Sequence, residues 1–452
     1  MAKCRSVARW NAFFLMFALS IACSDDDPVG ENSDPIGEEG GSDEEPGDGD
    51  PGDGDPGDEE PGDGDPGDED PGDGSVSTDC ETAASDGFVR PFPVDEALYP
   101  FDSCAFATPS GRMHYIDEGP KDAETTIMMV HGNPTWSFLY RNIVQAALGA
   151  GHRVVVPDHL GMGMSDVPSV ADFDYRPRSH SANLEDLVVA LDLDNITLVV
   201  QDWGGPIGLG MATRQADRID RMLIMNTWAW SIDEENPGDF HALVGWSNRA
   251  KSSAEMNPNF FCEFALPTSS TAIAAEVDPS EGELFEQVLN AYLAPGVDPD
   301  TGDPLYDEPC APMQIFAESI TDDDAFQGEV EAGLANLQGK PYSLYYGLRD
   351  RNFGVLRCDA MRDNACPGTS ECVCDASFLA GDATCETPGA EQFFLCKEAD
   401  GSFLEPSADR FEELLGSETL IRRESNLEAE HMIQEWDPEG VSRFLGELLA
   451  VP

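Results

Sequence analysis

Val200-Gln201-Asp202-Trp203-Gly204-Gly205 is the stretch on which the fold is decided. Residues 195–200 form a β-rich apolar run, and residues 206–213 have the composition of a helix. A strand that turns abruptly into a helix, with small residues after the turn, exposes one side chain at the carboxyl end of a sheet. Here that side chain is Asp202. An anion at the N-terminus of the following helix is stabilised by the helix dipole and its unpaired N–H groups. A carboxylate nucleophile attacks carbon and leaves an ester on the protein. It suits displacement at a saturated carbon bearing a leaving group better than acyl transfer. Asp is also a favoured N-cap, so this string alone leaves cap and nucleophile both open.

Working outward, the same alternation repeats. Residues 126–130 are an apolar run ending at His131-Gly132-Asn133-Pro134, and a helical pattern over 137–148 follows. Residues 153–156 form a second apolar run, ending at Pro157-Asp158-His159-Leu160-Gly161-Met162-Gly163. A helix over 182–191, a strand over 221–226 and a strand over 341–346 continue the pattern. Such alternation predicts an α/β fold, a parallel sheet with helices on both faces. Residues 227–338 break it; they are rich in aromatics and helix formers and are expected to be a helical cap. The core is expected over 80–226 and again over 339–452, the latter interrupted by a Cys-rich insertion at 357–405. Toward the end, 407–415 reads as a helix with Ser407 as N-cap, and 439–449 as a terminal helix.

His431 precedes that last helix, and Asp350 follows the strand at 341–346. The order nucleophile, acid, His is that of α/β hydrolases, and His131-Gly132-Asn133-Pro134 stands where they supply an oxyanion donor. Four strings together resemble haloalkane dehalogenase motifs: 131–143 (HGNPTWSFLYRNI), 157–166 (PDHLGMGMSD), 201–205 (QDWGG) and 431–435 (HMIQE). The resemblance covers about residues 88–356 and 404–452. It implies an α/β-hydrolase sheet with a cap, Asp202 as nucleophile and His431 as base. It also implies Trp203 and Asn133 as halide donors, and the backbone N–H groups of the same two residues as oxyanion donors. One subfamily carries its acid as a Glu 24 residues after the nucleophile, but that position here is Asn226, which cannot ionise. The others use an Asp after the seventh strand, which matches Asp350. Asp233, Glu234 and Glu235 are neighbouring carboxylates that compete for the assignment.

The reaction so implied is hydrolysis of a carbon–halogen bond through an alkyl ester on Asp202. The expected partners are a small neutral halogenated substrate and water, with no cofactor and no metal. The nearest rival is an epoxide hydrolase, which shares the nucleophile but takes two cap Tyr residues to protonate the epoxide; 227–338 holds only Tyr292 and Tyr306. A catalytically silent surface protein is a third reading, disfavoured by the intact set Asp202, His431, Asp350, Asn133 and Trp203.

Composition divides the chain of 452 residues and formal net charge −63 into three zones. Residues 1–23 carry three bases and an apolar run, a signal-peptide pattern. They end at Leu19-Ser20-Ile21-Ala22-Cys23, which resembles a bacterial lipobox with Ser20 where Leu is usual. Cys23 is therefore the candidate lipidation site, and a membrane-anchored, exported lipoprotein is expected; an ordinary signal peptide is the alternative. Residues 24–79 hold 24 acids and no base, and Pro recurs every five residues from Pro46 to Pro71. A Pro-Gly-Asp repeat without large apolar residues cannot offset chain entropy and is expected to be a disordered linker. It lacks the fixed ligand frame of a calcium loop. The acidic balance argues against nucleic acid as a partner. Ten cysteines remain beyond Cys23, in even groups that suit disulfides in an exported protein. Cys80–Cys104 and Cys262–Cys310 are the expected pairs, and the six of the insertion have 15 possible connectivities.

Overall fold

The computed structural model describes residues 91–451, apart from 236, 258, 279, 281, 297–309, 351–352, 354–370, 375–393, 398–403 and 427. The expected signal segment, Cys23, the acidic repeat, Cys80 and most of the Cys-rich insertion lie outside the described residues. Ten strands are described: β1 (Cys104–Thr108), β2 (Gly111–Glu118), β3 (Thr126–Val130), β4 (Arg153–Pro157), β5 (Ile196–Gln201), β6 (Ile219–Met225), β7 (Tyr342–Gly347), β8 (Glu371–Cys374), β9 (Phe394–Lys397) and β10 (Leu420–Asn426). Eight of them form one sheet in the order β1-β2-β4-β3-β5-β6-β7-β10. The β1–β2 and β2–β4 pairs are antiparallel, and every later pair is parallel. β8 and β9 pair separately, and the backbones of Cys372 and Cys396 stand opposite each other.

β3 and β5 are buried at every position, as central strands covered on both faces must be. Their covers are helices α1 (Arg141–Gly149), α2 (Pro177–Ala190) and α3 (Gly204–Arg214). Between β6 and β7 come α4 (His241–Met256), α5 (Leu266–Val277), α6 (Glu283–Leu293), α7 (Ala311–Asp322) and α8 (Asp324–Gly333). After the insertion come α9 (Pro406–Leu415), the single turn α10 (Ile433–Trp436) and α11 (Pro438–Leu449). Two apolar clusters sit on the two faces of the sheet. One gathers Trp203, Trp228, Phe316 and Phe326, and the other Trp136, Phe138, Tyr345 and Phe444. Among the described residues, no helix is long and apolar enough to cross a membrane.

Two local expectations need correction, and one pair of strands is new. The helix expected over 182–191 starts earlier, with Pro177 in its first turn, where its missing N–H costs nothing. Ser407 is not the cap of α9: Pro406 opens that helix and Glu405 stands at the cap position without a capping side-chain bond. The β1–β2 hairpin adds two strands that lack an apolar run, because the buried stretch of β2 includes the polar His114 and Asp117.

Cys262 and Cys310 form a disulfide between the start of α5 and the start of α7, with Cα atoms 5.5 Å apart. Cys104 and Cys396 each take part in a separate disulfide, not with each other. A buried ion pair joins Arg141 of α1 to Glu435 of α10, and Tyr292 of α6 donates its O–H to the same carboxylate at 2.5 Å. Removing either partner of a buried pair strands the other charge, so these three residues tie the helices after β6 to the sheet's helical cover.

Candidate active site

The turn after β5 is built by close packing. Asp202 has φ +51°, in the left-handed region that a β-carbon disfavours. Its backbone is held there by Asp202 N–H donating to Asn226 O at 3.0 Å, and by Gly205 N–H and the Thr227 hydroxyl donating to Asp202 O. A β-carbon on Gly204 would stand 2.1 Å from Val130 O, and one on Gly205 would stand 1.9 Å from Thr227 Oγ1. Only glycine lets α3 begin so close to β3 and to the residues after β6.

Asp202 is aimed at two partners. Its Oδ1 accepts the backbone N–H of Asn133 at 2.7 Å, and Oδ2 lies 3.4 Å from His431 Nε2. A β-carbon at position 132 would sit 2.2 Å from Asp202 Oδ1, so Gly132 leaves the space for this carboxylate. His431 Nδ1 donates to Asp350 Oδ2 at 2.7 Å, and its ring stacks on Phe353 at 5.6 Å. Asp350 is 2 % exposed, and its carboxylate also accepts from Asn226 Nδ2 at 2.7 Å and from Phe353 N–H at 3.3 Å. Burial alone would lower the basicity of His431. The charge of Asp350, then hydrogen bonds to Asp202 and Asp350 and the charge of Asp202, outweigh it and raise the pKa to about 10. The imidazole is therefore a cation between two carboxylates at neutral pH.

Trp203 is 2 % exposed, edge-on to Trp228 with centroids 4.6 Å apart, and 5.4 Å from the Phe316 ring of α7. Its indole N–H makes no hydrogen bond among the described residues, so this donor is available. Asn133 differs from the simple expectation: its Nδ2 donates to Met313 O of α7 at 3.1 Å, and its Oδ1 is buried without a partner. One N–H of that amide is thus engaged by the helix that also carries Phe316. The rival carboxylates Asp233, Glu234 and Glu235 are exposed, and Asp233 and Glu234 act on Asp324 instead, raising its pKa behind the larger effect of burial.

The structure brings together Asp202, His431, Asp350 and the Asn133 backbone from four separate stretches of chain, with Trp203 adjoining. Sequence reasoning assigned no role to Asn226, Thr227 or Gln201. Asn226 entered only as a residue that cannot ionise, yet it is a donor to the carboxylate behind His431. His131, His159 and His180 form a separate buried row, with His131 and His159 rings 4.4 Å apart and His180 stacked on Phe316 at 4.9 Å. Burial first, then neighbouring histidine charge, pushes His180 down to about 3 and His159 well below its ordinary value. That row is neutral packing.

The family described as the alpha/beta hydrolase fold matches residues 125–260. Haloalkane dehalogenase DpaA from Paraglaciecola agarilytica superposes with a TM-score of 0.53 over 79 % of this chain and 98 % of its own, at 22 % identity. This chain has an α/β-hydrolase fold. Among relatives by sequence, a cis-3-alkyl-4-alkyloxetan-2-one decarboxylase of Shewanella oneidensis is 43 % identical over 44 % of this chain and 59 % of its own. Haloalkane dehalogenase 2 of Mycobacterium tuberculosis is 40 % identical over 40 % of this chain and 60 % of its own. The chain thus spans about six-tenths of the length of these curated relatives. Within the α/β-hydrolase frame, Asp202 sits at the strand–helix elbow, where the fold exposes a nucleophile.

Proposed function

We propose that this protein is a haloalkane dehalogenase. The observation that carries the reading is the carboxylate at the elbow, 2.7 Å from the Asn133 N–H and 3.4 Å from His431 Nε2, with an unengaged indole N–H on the next residue. Asp202 displaces halide from an sp³ carbon: the new C–O bond forms as the C–halogen bond breaks, and the halide leaves with the electron pair. Trp203 and Asn133 donate to the departing halide, in surroundings dry enough that water competes poorly. Esterification removes the negative charge of Asp202 and with it part of what keeps His431 protonated. The imidazole then gives up its proton to solvent and deprotonates a water as that water attacks the ester carbonyl. Collapse of the tetrahedral intermediate breaks the bond from Asp202 Cγ to the alkoxy oxygen, and His431 returns the proton to the departing alcohol. The Asn133 and Trp203 backbone N–H groups hold the oxyanion, and Asp350 keeps the Nδ1–H tautomer. The reading includes export, Cys23 as a lipid anchor, and the acidic repeat as a spacer between membrane and enzyme.

One observation favours a second reading. The 43 % identical relative is named for decarboxylating an oxetan-2-one. The same carboxylate could open such a ring at its oxygen-bearing sp³ carbon. Loss of CO₂ would then form the alkene and expel Asp202. Epoxide opening is disfavoured, because the Tyr292 hydroxyl is committed to Glu435; Tyr306 lies outside the described residues.

The deciding experiment compares halide release from 1,2-dibromoethane and 1-bromobutane with CO₂ release from a cis-3,4-dialkyl oxetan-2-one and diol formation from styrene oxide. Halide release with little of the other two is expected. CO₂ without halide would establish the second reading, and a folded protein inert to all three would sink both.

A further inference from the structure

Gln201 is the last residue of β5, is 0 % exposed, and precedes the proposed nucleophile. Its Nε2 lies 3.1 Å from the His431 carbonyl oxygen, 3.2 Å from His431 Nε2 and 3.9 Å from Met432 Sδ. A carbonyl oxygen only accepts, so the amide must present its nitrogen to His431; a flip would set two oxygens against each other. Gln201 Oε1 has no partner, so no other contact selects the orientation. Because Nδ1 donates to Asp350, Nε2 carries the lone pair of the neutral ring.

We propose that Gln201 is a positioning residue for His431. Its amide ties the His431 main chain to the end of β5 and sets the positive end of an N–H dipole against Nε2, favouring the proton-accepting form. This rests on the reading of His431 as the base. The ionisable groups acting on His431 from the elements around it are Asp202 at the elbow, Asp350 after β7, and Glu276 on α5, with Glu430 adjacent in sequence. Every one is a carboxylate, and in ionised form each favours the imidazolium. Gln201 is the polar side chain of this set that opposes them. Its contribution counts most once Asp202 is esterified and the ring must shed its proton.

The test uses Gln201→Met, close in shape and without the dipole, and Gln201→Glu, which reverses its sign. His431 is titrated by NMR of its ring carbon in the resting protein, and halide burst and alcohol release are followed separately. The expected pKa order is wild type, then Met, then Glu, each step about one unit. Alcohol release slows more than the halide burst, by about tenfold at neutral pH for the Met variant. An unchanged His431 pKa in either folded variant overturns the proposal, as does equal slowing of both steps, which a merely structural role would give. Should the Met variant not fold, the Glu variant alone decides by the direction of its shift. The titration needs no substrate: an ordered shift beside a wild type that releases no halide would remove the dehalogenase reading and keep the positioning role.

Discussion

Among the described residues, two His–Asp pairs have nearly the same hydrogen-bond length. His114 Nδ1 lies 2.8 Å from Asp158 Oδ2, and His431 Nδ1 lies 2.7 Å from Asp350 Oδ2. What differs is everything else around the two rings. The side chains of His114 and Asp158 are both 0 % exposed, and the far nitrogen of His114 meets Ser103 Oγ at 3.1 Å. Asp158 further accepts Ser137 N–H at 2.7 Å and Met164 N–H at 2.9 Å. The His431 ring is 24 % exposed, and its far nitrogen faces Asp202. A His–Asp hydrogen bond therefore does not make a base. A base needs a second nitrogen turned toward a reacting group with access for water; of these two pairs, the His431 pair has the partly exposed second nitrogen that the proposed reading requires.

Removing the carboxylates should separate the two pairs by their effect on turnover. Asp158→Ala is expected to cost about 3–5 kcal/mol of stability, because it strips a buried, multiply bonded charge from its partners. Turnover per folded molecule should change little. Asp350→Asn should also lower stability at neutral pH, because the charge of Asp350 is the largest effect raising His431. It should in addition lower turnover by about 10²- to 10⁴-fold, through loss of the tautomer that accepts a proton from water. Urea denaturation and steady-state halide release on both variants check this; similar losses of turnover per folded molecule from the two would end the distinction.

The pairs should also fail at opposite ends of the pH scale. His431 is held near 10 in the folded protein, above its ordinary 6.5. Its contribution is fully present below the lower value and is lost as pH rises through about 10. Asp158 is opposed by burial, but its bonds to His114 and the Met164 N–H hold its carboxyl below the usual range. That contribution is present above the ordinary carboxylate pKa and is lost as pH falls through the depressed one. Stability measured against pH should show both limbs, and His431→Phe should flatten only the alkaline one.

A smaller effect separates out a neighbour on the same limb. Burial first, then the charges of Glu430 and Glu435, push Glu276 up to about 9 from an ordinary 4.5. The native state thus holds a proton that the unfolded chain releases, and stability falls as pH rises between those values. Glu276→Gln should raise the melting temperature at pH 8 and leave it unchanged at pH 4. A lower melting temperature at pH 8 would show that the ionised carboxylate is used.

These contrasts mark how far the sequence could be read. The strand–helix alternation was legible because β3, β4 and β5 are short apolar runs, each cut off by a turn string. Asp202, Asp350 and His431 were legible from their order and from what ends each strand. The β1–β2 hairpin was not, since Thr108, Arg112, His114, Asp117 and Glu118 break up its apolar positions and two residues, Pro109 and Ser110, form its turn. Gln201 and Asn226 acquire their roles through residues 230 and 124 positions away. No local pattern reports such contacts, which exist only once the sheet order is set. His131 shows the converse: it stands in the most recognisable string, yet both its ring nitrogens serve backbone groups.

The central claim is that Asp202 becomes covalently alkylated and that His431 is needed only to release the product. Intact-mass measurement of His431→Phe after incubation with 1-bromobutane tests it most directly. A single butyl adduct on the peptide containing Asp202, with one equivalent of bromide released, is the result predicted. An unmodified protein with bromide released, or alcohol formed at the wild-type rate, would contradict it.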